Sequence, residues 1–185
     1  MRIVGGEKKG RTLKGPSSST TRPTSDRLRE SLFNVLAHGY EDPCSGAQVL
    51  DLFAGTGALG LEAISRGASF ALFVEEDAGA RATIRDNIEA LALTGATRIF
   101  RRDATRLGPL SGTPFSLVFC DPPYGKGLAE AALISARAGG WLAGNCLLVV
   151  EEKTAAFITP EGFHELERRS YDESELILLE LSAPS

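Results

Sequence analysis

Residues 121–124 read Asp-Pro-Pro-Tyr and follow an apolar run, residues 115–120. Two consecutive prolines remove two backbone donors and fix two φ angles, so this segment is a rigid turn and not a continued strand. An exocyclic amine on a nucleobase is a poor nucleophile because its lone pair is delocalised into the ring. A fixed carboxylate and a fixed carbonyl oxygen can accept hydrogen bonds from the two N–H groups of the amine and so orient its lone pair. The candidate catalytic residues are Asp121, Pro122, Pro123 and Tyr124, whose ring offers a stacking surface for an unpaired base.

A glycine-rich loop lies upstream, in the sequence DLFAGTGALG of residues 51–60. Gly55, Gly57 and Gly60 satisfy the pattern G-x-G-x-x-G between a predicted strand and a predicted helix, which is typical of nucleotide-binding loops. Glycine permits a tight turn and close approach of a ligand, but it does not identify the ligand. A turn that needs glycine only for packing is the alternative.

Acidic residues narrow the choice of ligand. Asp51 ends the first strand, where a buried carboxylate needs a donor such as an ammonium group or backbone amides. Glu75 ends the second strand and is placed to accept hydrogen bonds from a ribose diol. Nicotinamide enzymes share the second acid but not usually the first, whereas S-adenosylmethionine carries both an amino acid group and a ribose. Asp103, after the third strand, either meets the adenine amino group or pairs with Arg101 or Arg102.

We therefore predict S-adenosylmethionine as the methyl donor, and no metal, because the methyl group is already activated. Only His38 and His164 are available for a His-based metal site. The predicted donor-binding residues are Asp51, Phe53, Gly55, Thr56, Gly57, Glu75 and Asp103.

Strand and helix patterns alternate from residue 47 onward, which predicts an α/β fold with a mainly parallel sheet covered on both faces. The predicted strands are residues 48–53, 69–75, 97–100, 115–120 and 146–151. Helices are predicted up to residue 66, over residues 77–93 and over residues 128–137. Residues 164–170 and 175–181 are separated by a turn around Asp172 and predict an antiparallel hairpin at the sheet edge.

The basic residues are concentrated near the N-terminus. Residues 1–29 hold eight Lys and Arg against two acids, a charge of +6, so the remainder carries -10 of the total of -4. Such an arm suggests a polyanionic partner, and a solvated tail is the alternative. Residues 23–26, Pro-Thr-Ser-Asp, predict a helix start with hydroxyls at the cap and an acid in the first turn. The apolar residues at 28, 32, 35 and 36 predict its buried face, with Gly39 as the stop.

Composition predicts one soluble domain with a small appendage. The chain has 185 residues and is 43% hydrophobic, and it shows no signal peptide and no apolar run of membrane-spanning length. We expect a cytoplasmic protein. Cys44, Cys120 and Cys146 show no close pairing and are interpreted as small buried hydrophobes.

The chain resembles the RsmD family of methyltransferases over essentially its whole length. The resemblance rests on RIVGGEKKGRTL, RPTSDRLRESLFNVL, DLFAGTGALGLEA and DPPYGKG. It implies a Rossmann-like class I fold with a seven-stranded sheet and a reversed last strand. The implied activity is methylation of guanine N2 in 16S ribosomal RNA, on an assembling small ribosomal subunit rather than naked RNA, by a monomer.

The resemblance also implies how the chain is divided. Residues 1–24 would form an RNA-contacting arm and residues 25–185 the methyltransferase domain. Residues of the arm motif would contact substrate RNA next to the active site. The residues assigned to RNA in this way are Arg11, Arg22, Thr24 and Arg27.

Other functions fit parts of the same pattern. Asp-Pro-Pro-Tyr does not separate guanine N2 from adenine N6, and only the resemblance in the arm favours guanine. Protein glutamine methyltransferases typically carry Asn at the position of Asp121. A nicotinamide dehydrogenase would need a second catalytic region. An RNA-binding assembly factor without activity would not need the acids at 51, 75 and 121.

Overall fold

The computed structural model describes residues 1–16 and 25–184. The part of the chain described contains one seven-stranded sheet. Its strands are β1 (Gln48–Leu52), β2 (Phe70–Val74), β3 (Thr97–Phe100), β4 (Phe115–Cys120), β5 (Leu142–Lys153), β6 (Phe163–Tyr171) and β7 (Ser174–Leu181). Their order across the sheet is β3-β2-β1-β4-β5-β7-β6. The first five strands are parallel, and β7 runs antiparallel to β5 and β6, so the predicted reversed last strand is confirmed.

Four α-helices within these described ranges cover the two faces of the sheet. They are α1 (Asp26–Gly39), α2 (Ala58–Ser65), α3 (Ala78–Ala90) and α4 (Leu128–Ala138). One buried cluster packs α1, α2 and α3 on one face, where Phe73 and Phe119 are fully buried. The other cluster packs α4 on the opposite face around Trp141 and Leu133. Burial on both faces explains why the central strands are almost continuously apolar.

The predicted element boundaries agree with the structure to within a few residues, except at the start of β5. This strand begins at Leu142 and not at Cys146, and the register with β4 shifts between Phe115 and Leu117. Residues 143–145 are Ala, Gly and Asn, which have low strand propensity, so pairing with neighbours decides their conformation. The predicted hairpin of β6 and β7 is confirmed, and its turn residue Asp172 has φ of 50°.

Helix α1 starts and ends as its sequence predicts. Ser25 is the N-cap and its side chain accepts a hydrogen bond from Leu28 N at 3.1 Å, while the helix ends at Gly39. Leu32 and Leu36 are buried on its inner face, and Arg27 and Glu30 are exposed. Arg29, which we counted with the basic arm, is instead fully buried.

Residues 1–16 are packed onto the body formed by the sheet and its helices. Ile3 and Leu13 are buried, and Arg2 and Thr12 form an antiparallel bridge that folds the segment back on itself. The carboxylate of Glu62 in α2 accepts hydrogen bonds from Val4 N at 3.0 Å and Gly5 N at 2.8 Å. The predicted loop over residues 17–21, together with Arg22 and Thr24, lies outside the described residues.

Candidate active site

A large cavity opens at the carboxyl ends of the parallel strands. Its volume is about 1720 Å³, well above the roughly 300–1,000 Å³ of an ordinary small-molecule pocket. The structure therefore has room for a nucleoside ligand and part of a second substrate. The predicted residues that line it are Asp51, Phe53, Gly55, Thr56, Glu75, Asp103, Asp121, Pro122, Pro123, Tyr124 and Arg27.

The glycine loop turns the chain sharply from β1 into α2. Phe53, Gly55 and Gly57 all have positive φ angles, of 56°, 59° and 78°. Gly57 is the N-cap of α2 and is not among the residues that line the cavity. A Cβ atom on Gly60 would lie 2.5 Å from Phe73 Cε1, so this glycine allows α2 to approach β2 closely. The three glycines therefore have different roles, and Gly60 fits the packing interpretation.

Asp51 is the most deeply buried acid that lines the cavity. Only 1% of the residue is exposed, and its Oδ2 accepts a hydrogen bond from Gly60 N at 3.0 Å. Burial raises the pKa of its carboxyl group to about 8, with a smaller contribution from the charge of Glu75 and an opposing one from the Gly60 amide. A carboxylate in this position favours a cationic partner, such as the ammonium group of an amino acid.

Glu75 ties the glycine loop to the start of α3. Its Oε2 accepts a hydrogen bond from Gly55 N at 2.8 Å, and its Oε1 accepts one from Asp77 N at 2.9 Å. Each carboxylate oxygen has a second lone pair, so both can still accept a ribose hydroxyl. Glu75 therefore fits both a loop-fixing role and the predicted ribose contact.

Asp103 follows β3 at the side of the cavity. Its Oδ1 accepts hydrogen bonds from the backbone N of Thr105 at 2.9 Å and from Thr105 Oγ1 at 2.7 Å. These bonds lower the pKa of the Asp103 carboxyl group. Within the described residues its hydrogen-bond partner is thus Thr105, not either of the preceding arginines. Its position agrees with an adenine-side contact.

Asp121 follows β4, which is the direct neighbour of β1 in the sheet. Leu52 pairs with Cys120, so the glycine loop and Asp-Pro-Pro-Tyr leave the sheet side by side. Asp121 and Tyr124 are half-buried, and Pro122 is buried. The rigid turn therefore presents its carboxylate beside the predicted donor site.

Two buried acids at the end of β5 hold this turn, and the sequence analysis missed them. Glu151 Oε1 accepts a hydrogen bond from the Tyr124 hydroxyl at 2.6 Å, and Glu152 Oε1 accepts one from Gly125 N at 2.8 Å. Burial and the bond to Glu151 raise the pKa of Tyr124. The available signal was a pair of acids ending the apolar run of β5, the strand next to β4.

The opposite wall of the cavity comes from α1 and the β6–β7 hairpin. Arg27, Ser31 and Tyr171 line it, and the Ser31 Oγ and Tyr171 hydroxyl atoms lie 3.0 Å apart. Arg11, by contrast, donates a hydrogen bond to the carbonyl of Ala90, the last residue of α3. The structure thus brings Arg27 to the cavity and leaves Arg11 outside its lining.

All three cysteines are buried and unpaired with one another, as predicted. Among residues 1–16 and 25–184, no cluster of His, Cys, Asp and Glu could hold a metal ion. Across those same residues, every helix is too short or too polar to cross a membrane.

The residues of the cavity fit S-adenosylmethionine. Asp51 can hold an ammonium group, Gly55 permits close approach to the loop backbone, and Glu75 and Asp103 can accept hydrogen bonds from ribose and adenine. Asp121 and Tyr124 lie beyond the loop, where an acceptor substrate would bind. The arrangement supports transfer of a group between two ligands bound at the ends of β1 and β4.

Comparisons with known proteins agree with this arrangement. Residues 1–180 match the family model described as Conserved hypothetical protein 95. Ribosomal RNA small subunit methyltransferase D from Escherichia coli is 42% identical over 153 residues, which are 83% of this chain and 75% of that protein. The protein of the same name from Haemophilus influenzae is 35% identical over 175 residues, 92% of this chain and 88% of that protein.

A solved structure shows the same fold. The structure of yhhF from Escherichia coli superposes with a TM-score of 0.83 and 34% sequence identity, and the match covers 100% of this chain and 99% of that one. The similarity therefore includes the N-terminal segment, the glycine loop and the hairpin of β6 and β7. The chain therefore belongs to the family represented by the matching family model and these relatives, the RsmD family of methyltransferases.

Proposed function

We propose that this methyltransferase transfers the methyl group of S-adenosylmethionine to the exocyclic N2 amine of a guanine in 16S ribosomal RNA. One observation carries the proposal: the glycine loop with Asp51 and the turn with Asp121 open side by side into one cavity. The names of the relatives support ribosomal RNA as the substrate. The guanine N2 position rests on the family resemblance.

The residues divide into those that hold the donor and those that orient the amine. S-adenosylmethionine, when bound, supplies a methyl group activated by its sulfonium. Asp51, Glu75 and Asp103 bind its polar groups, and Phe53, Gly55, Thr56 and Gly57 shape the loop around it. The loop and the cavity wall fix the donor in position, which lowers the entropic part of the barrier.

Asp121 orients the acceptor nitrogen. The Asp121 carboxylate and a backbone carbonyl of the proline turn accept hydrogen bonds from the two N–H groups of the amine. These bonds orient the nitrogen lone pair toward the methyl carbon. On transfer of the methyl group the amine nitrogen would become acidic, and Asp121 would accept its proton and release it to water. Asp121 therefore does not need to act as a strong base. The ring of Tyr124 stacks on the base.

Replacing the Asp121 carboxylate tests the proposal directly. In Asp121→Ala we expect kcat to fall by at least about 100-fold, the size seen when one charge-stabilising group is removed from an active site. Binding of the donor should be unchanged, because the donor residues lie at the carboxyl ends of β1, β2 and β3 and not on the turn that follows β4. The assay is transfer of tritium from S-adenosylmethionine to small ribosomal subunits isolated from cells that lack the enzyme, and calorimetry measures donor binding.

Glu161→Ala is the matched control, since it removes an exposed carboxylate from a surface turn. Activity in Asp121→Ala equal to that of the control would contradict the assignment of Asp121. Mass spectrometry of the nucleosides then identifies the product. Detection of N2-methylguanosine would support the proposal. Detection of N6-methyladenosine would support the adenine alternative instead. An absence of label in RNA would favour the non-catalytic assembly factor.

The proposed substrate particle is an assembling small ribosomal subunit. A target within 16S ribosomal RNA places the activity in the cytoplasm, and the enzyme acts as a monomer. Residues 1–24 serve as the RNA-contacting arm of the domain that residues 25–185 form. Comparing free 16S ribosomal RNA with isolated subunits as substrates tests the choice of particle, and sedimentation equilibrium tests the oligomeric state.

A further inference from the structure

A second basic segment interrupts the acidic body of the chain. Four arginines occur within residues 98–106, together with one acid, which gives this segment a charge of +3. The stretches on either side are strongly acidic, with charges of -7 for residues 30–97 and -6 for residues 107–185. We call these four residues the β3 arginine edge. They are Arg98, Arg101, Arg102 and Arg106.

The guanidinium groups of the β3 arginine edge face solvent. All four residues are exposed, and within the described chain none of them forms an ion pair with a carboxylate. Arg102 lies over the ring of Phe100 at 4.5 Å and donates a hydrogen bond to the Leu107 carbonyl, which fixes its position. Exposed arginines without carboxylate partners on an acidic protein are available to bind an anion.

The fold brings the β3 arginine edge to one side of the cavity, with Arg101 and Arg102 nearest its mouth and Arg98 earlier on β3. Strand β3 is the outermost strand, and Arg101 and Arg102 follow its carboxyl end. Arg102 itself lines the cavity next to Asp103. Three strand spacings, about 14 Å, separate β3 from β4, which leads into Asp121. Arg27 lines the cavity too, on the wall formed by α1.

We propose that the β3 arginine edge binds backbone phosphates of the ribosomal RNA, a few nucleotides from the target guanine. This inference rests on the proposed function and adds a second RNA-binding surface to it. Arginine presents a planar fork of donors that matches a phosphate group. The RNA strand is then held on both sides of the cavity, by the arm at one side and by the β3 arginine edge at the other.

Protection of an exposed strand edge is the competing explanation. Charged side chains on outer strands prevent edge-to-edge pairing with another chain. That role requires charge but no RNA, so its loss would appear as self-association. An RNA-binding role would appear in the salt dependence of RNA affinity, because each phosphate contact releases counterions.

The test uses the full chain with Arg98→Gln, Arg101→Gln and the double variant. The slope of log affinity against log salt concentration is measured with a 16S ribosomal RNA transcript. For the double variant we expect it to become shallower by about 1.4, since each single-strand contact contributes about 0.7. The KM for small subunits should rise, while kcat and the affinity for S-adenosylhomocysteine stay unchanged.

The controls separate the possible outcomes. Arg137→Gln removes an exposed arginine from the last turn of α4, outside the cavity lining, and should leave the slope unchanged. Arg98→Lys with Arg101→Lys keeps both charges and should retain most of the slope. A double Gln variant with the slope of wild type, or with self-association in size-exclusion chromatography as its only defect, would overturn the inference. Failure of wild type to methylate ribosomal RNA would instead overturn the proposed function.

Discussion

Acids that share one cavity differ in protonation because their surroundings differ. Burial raises the pKa of the Asp51 carboxyl group to about 8, although the hydrogen bond from the Gly60 amide opposes the shift. Asp103 accepts two hydrogen bonds from Thr105 near solvent, so its pKa is lowered. A raised pKa on a buried residue that lines a binding cavity suggests that the charged form is stabilised by a ligand.

The raised pKa of Asp51 gives two linked pH dependences. Between its ordinary value of 3.8 and about 8, this residue is ionised in the unfolded chain and protonated in the folded one. Its contribution to the free energy of unfolding therefore falls as the pH rises through this window. A ligand with an ammonium group needs the ionised form, so its binding should release a proton and tighten as the pH rises toward 8.

Calorimetry with S-adenosylhomocysteine from pH 5.5 to 7.5 measures the second effect. We expect the wild-type affinity to rise by up to about tenfold per pH unit, the limit for one linked proton. Asp51→Asn should bind more weakly, with little dependence on pH. A wild-type affinity that is constant over this range would show that Asp51 does not ionise on binding.

Tyr124 combines a ring with a hydrogen bond, and two substitutions separate them. Tyr124→Phe keeps the ring but leaves Glu151 Oε1 without the hydroxyl that it accepts from. We expect a loss of about 1–3 kcal/mol in the free energy of unfolding, the cost of removing a hydrogen-bond donor from a buried group. Methyl transfer should be retained, because stacking needs only the ring. Urea unfolding and kcat/KM provide the two measurements.

Tyr124→Ala removes both features and should lose methyl transfer as well as stability. Ser170→Ala, a small change at an exposed residue of the cavity wall, serves as the comparison. Equal activity in Tyr124→Phe and Tyr124→Ala would contradict the stacking role.

At the scale of elements, the helix that follows the glycine loop also anchors the N-terminal segment. Glu62 of α2 is fully buried and accepts hydrogen bonds from Val4 N and Gly5 N. The same carboxylate pairs with Arg29 of α1 at 3.4 Å and with Arg66 at 2.9 Å. One side chain thus connects α1, α2 and residues 1–16 at the back of the glycine loop.

Breaking this connection should be costly, because the partner charge stays buried. For Glu62→Ala we expect a loss of about 3–5 kcal/mol, typical of removing one partner of a buried ion pair. The measurement is the free energy of unfolding in urea. Glu30→Ala, an exposed acid of α1, should change it by less than about 0.5 kcal/mol. A similar small change in Glu62→Ala would show that the network does not hold the N-terminal segment.

At the scale of the whole molecule, the two ends of the parallel strands have different roles, one functional and one structural. The carboxyl ends of β1 to β4 carry the cavity, as expected for open α/β sheets. The turn of residues 6–10 packs near the amino ends of the strands, where Glu7 N donates a hydrogen bond to the Ser65 carbonyl, at the end of α2, at 2.7 Å. Lys8 and Lys9 therefore lie away from the cavity, so within the proposed arm these two lysines are not expected to contact RNA there.

The two arginines of the arm motif, Arg22 and Arg27, should contribute to RNA binding by charge. Replacing Arg22 and Arg27 with Gln should weaken binding of a 16S ribosomal RNA transcript and reduce the salt slope by about 0.7 for each phosphate that is no longer bound. Lys9→Gln is the matched control, because this exposed residue lies in the turn of residues 6–10, at the other end of the strands from the cavity. If the variant that replaces Arg22 and Arg27 has the wild-type slope, these two arginines are structural residues and do not bind RNA.

The sequence by itself determined the alternation of strands and helices, a helix start within residues 23–26, the glycine loop and the rigid Asp-Pro-Pro-Tyr turn. These features follow from local periodicity and from the fixed geometry of glycine and proline, which act within a few residues. Only the tertiary structure decided that Arg29 is buried against Glu62 and that Glu151 holds Tyr124. It also decided that Arg27 lies at the cavity while Lys8 and Lys9 do not. Such pairings join residues far apart in the chain, and the energy of a charged side chain depends on what folding places beside it.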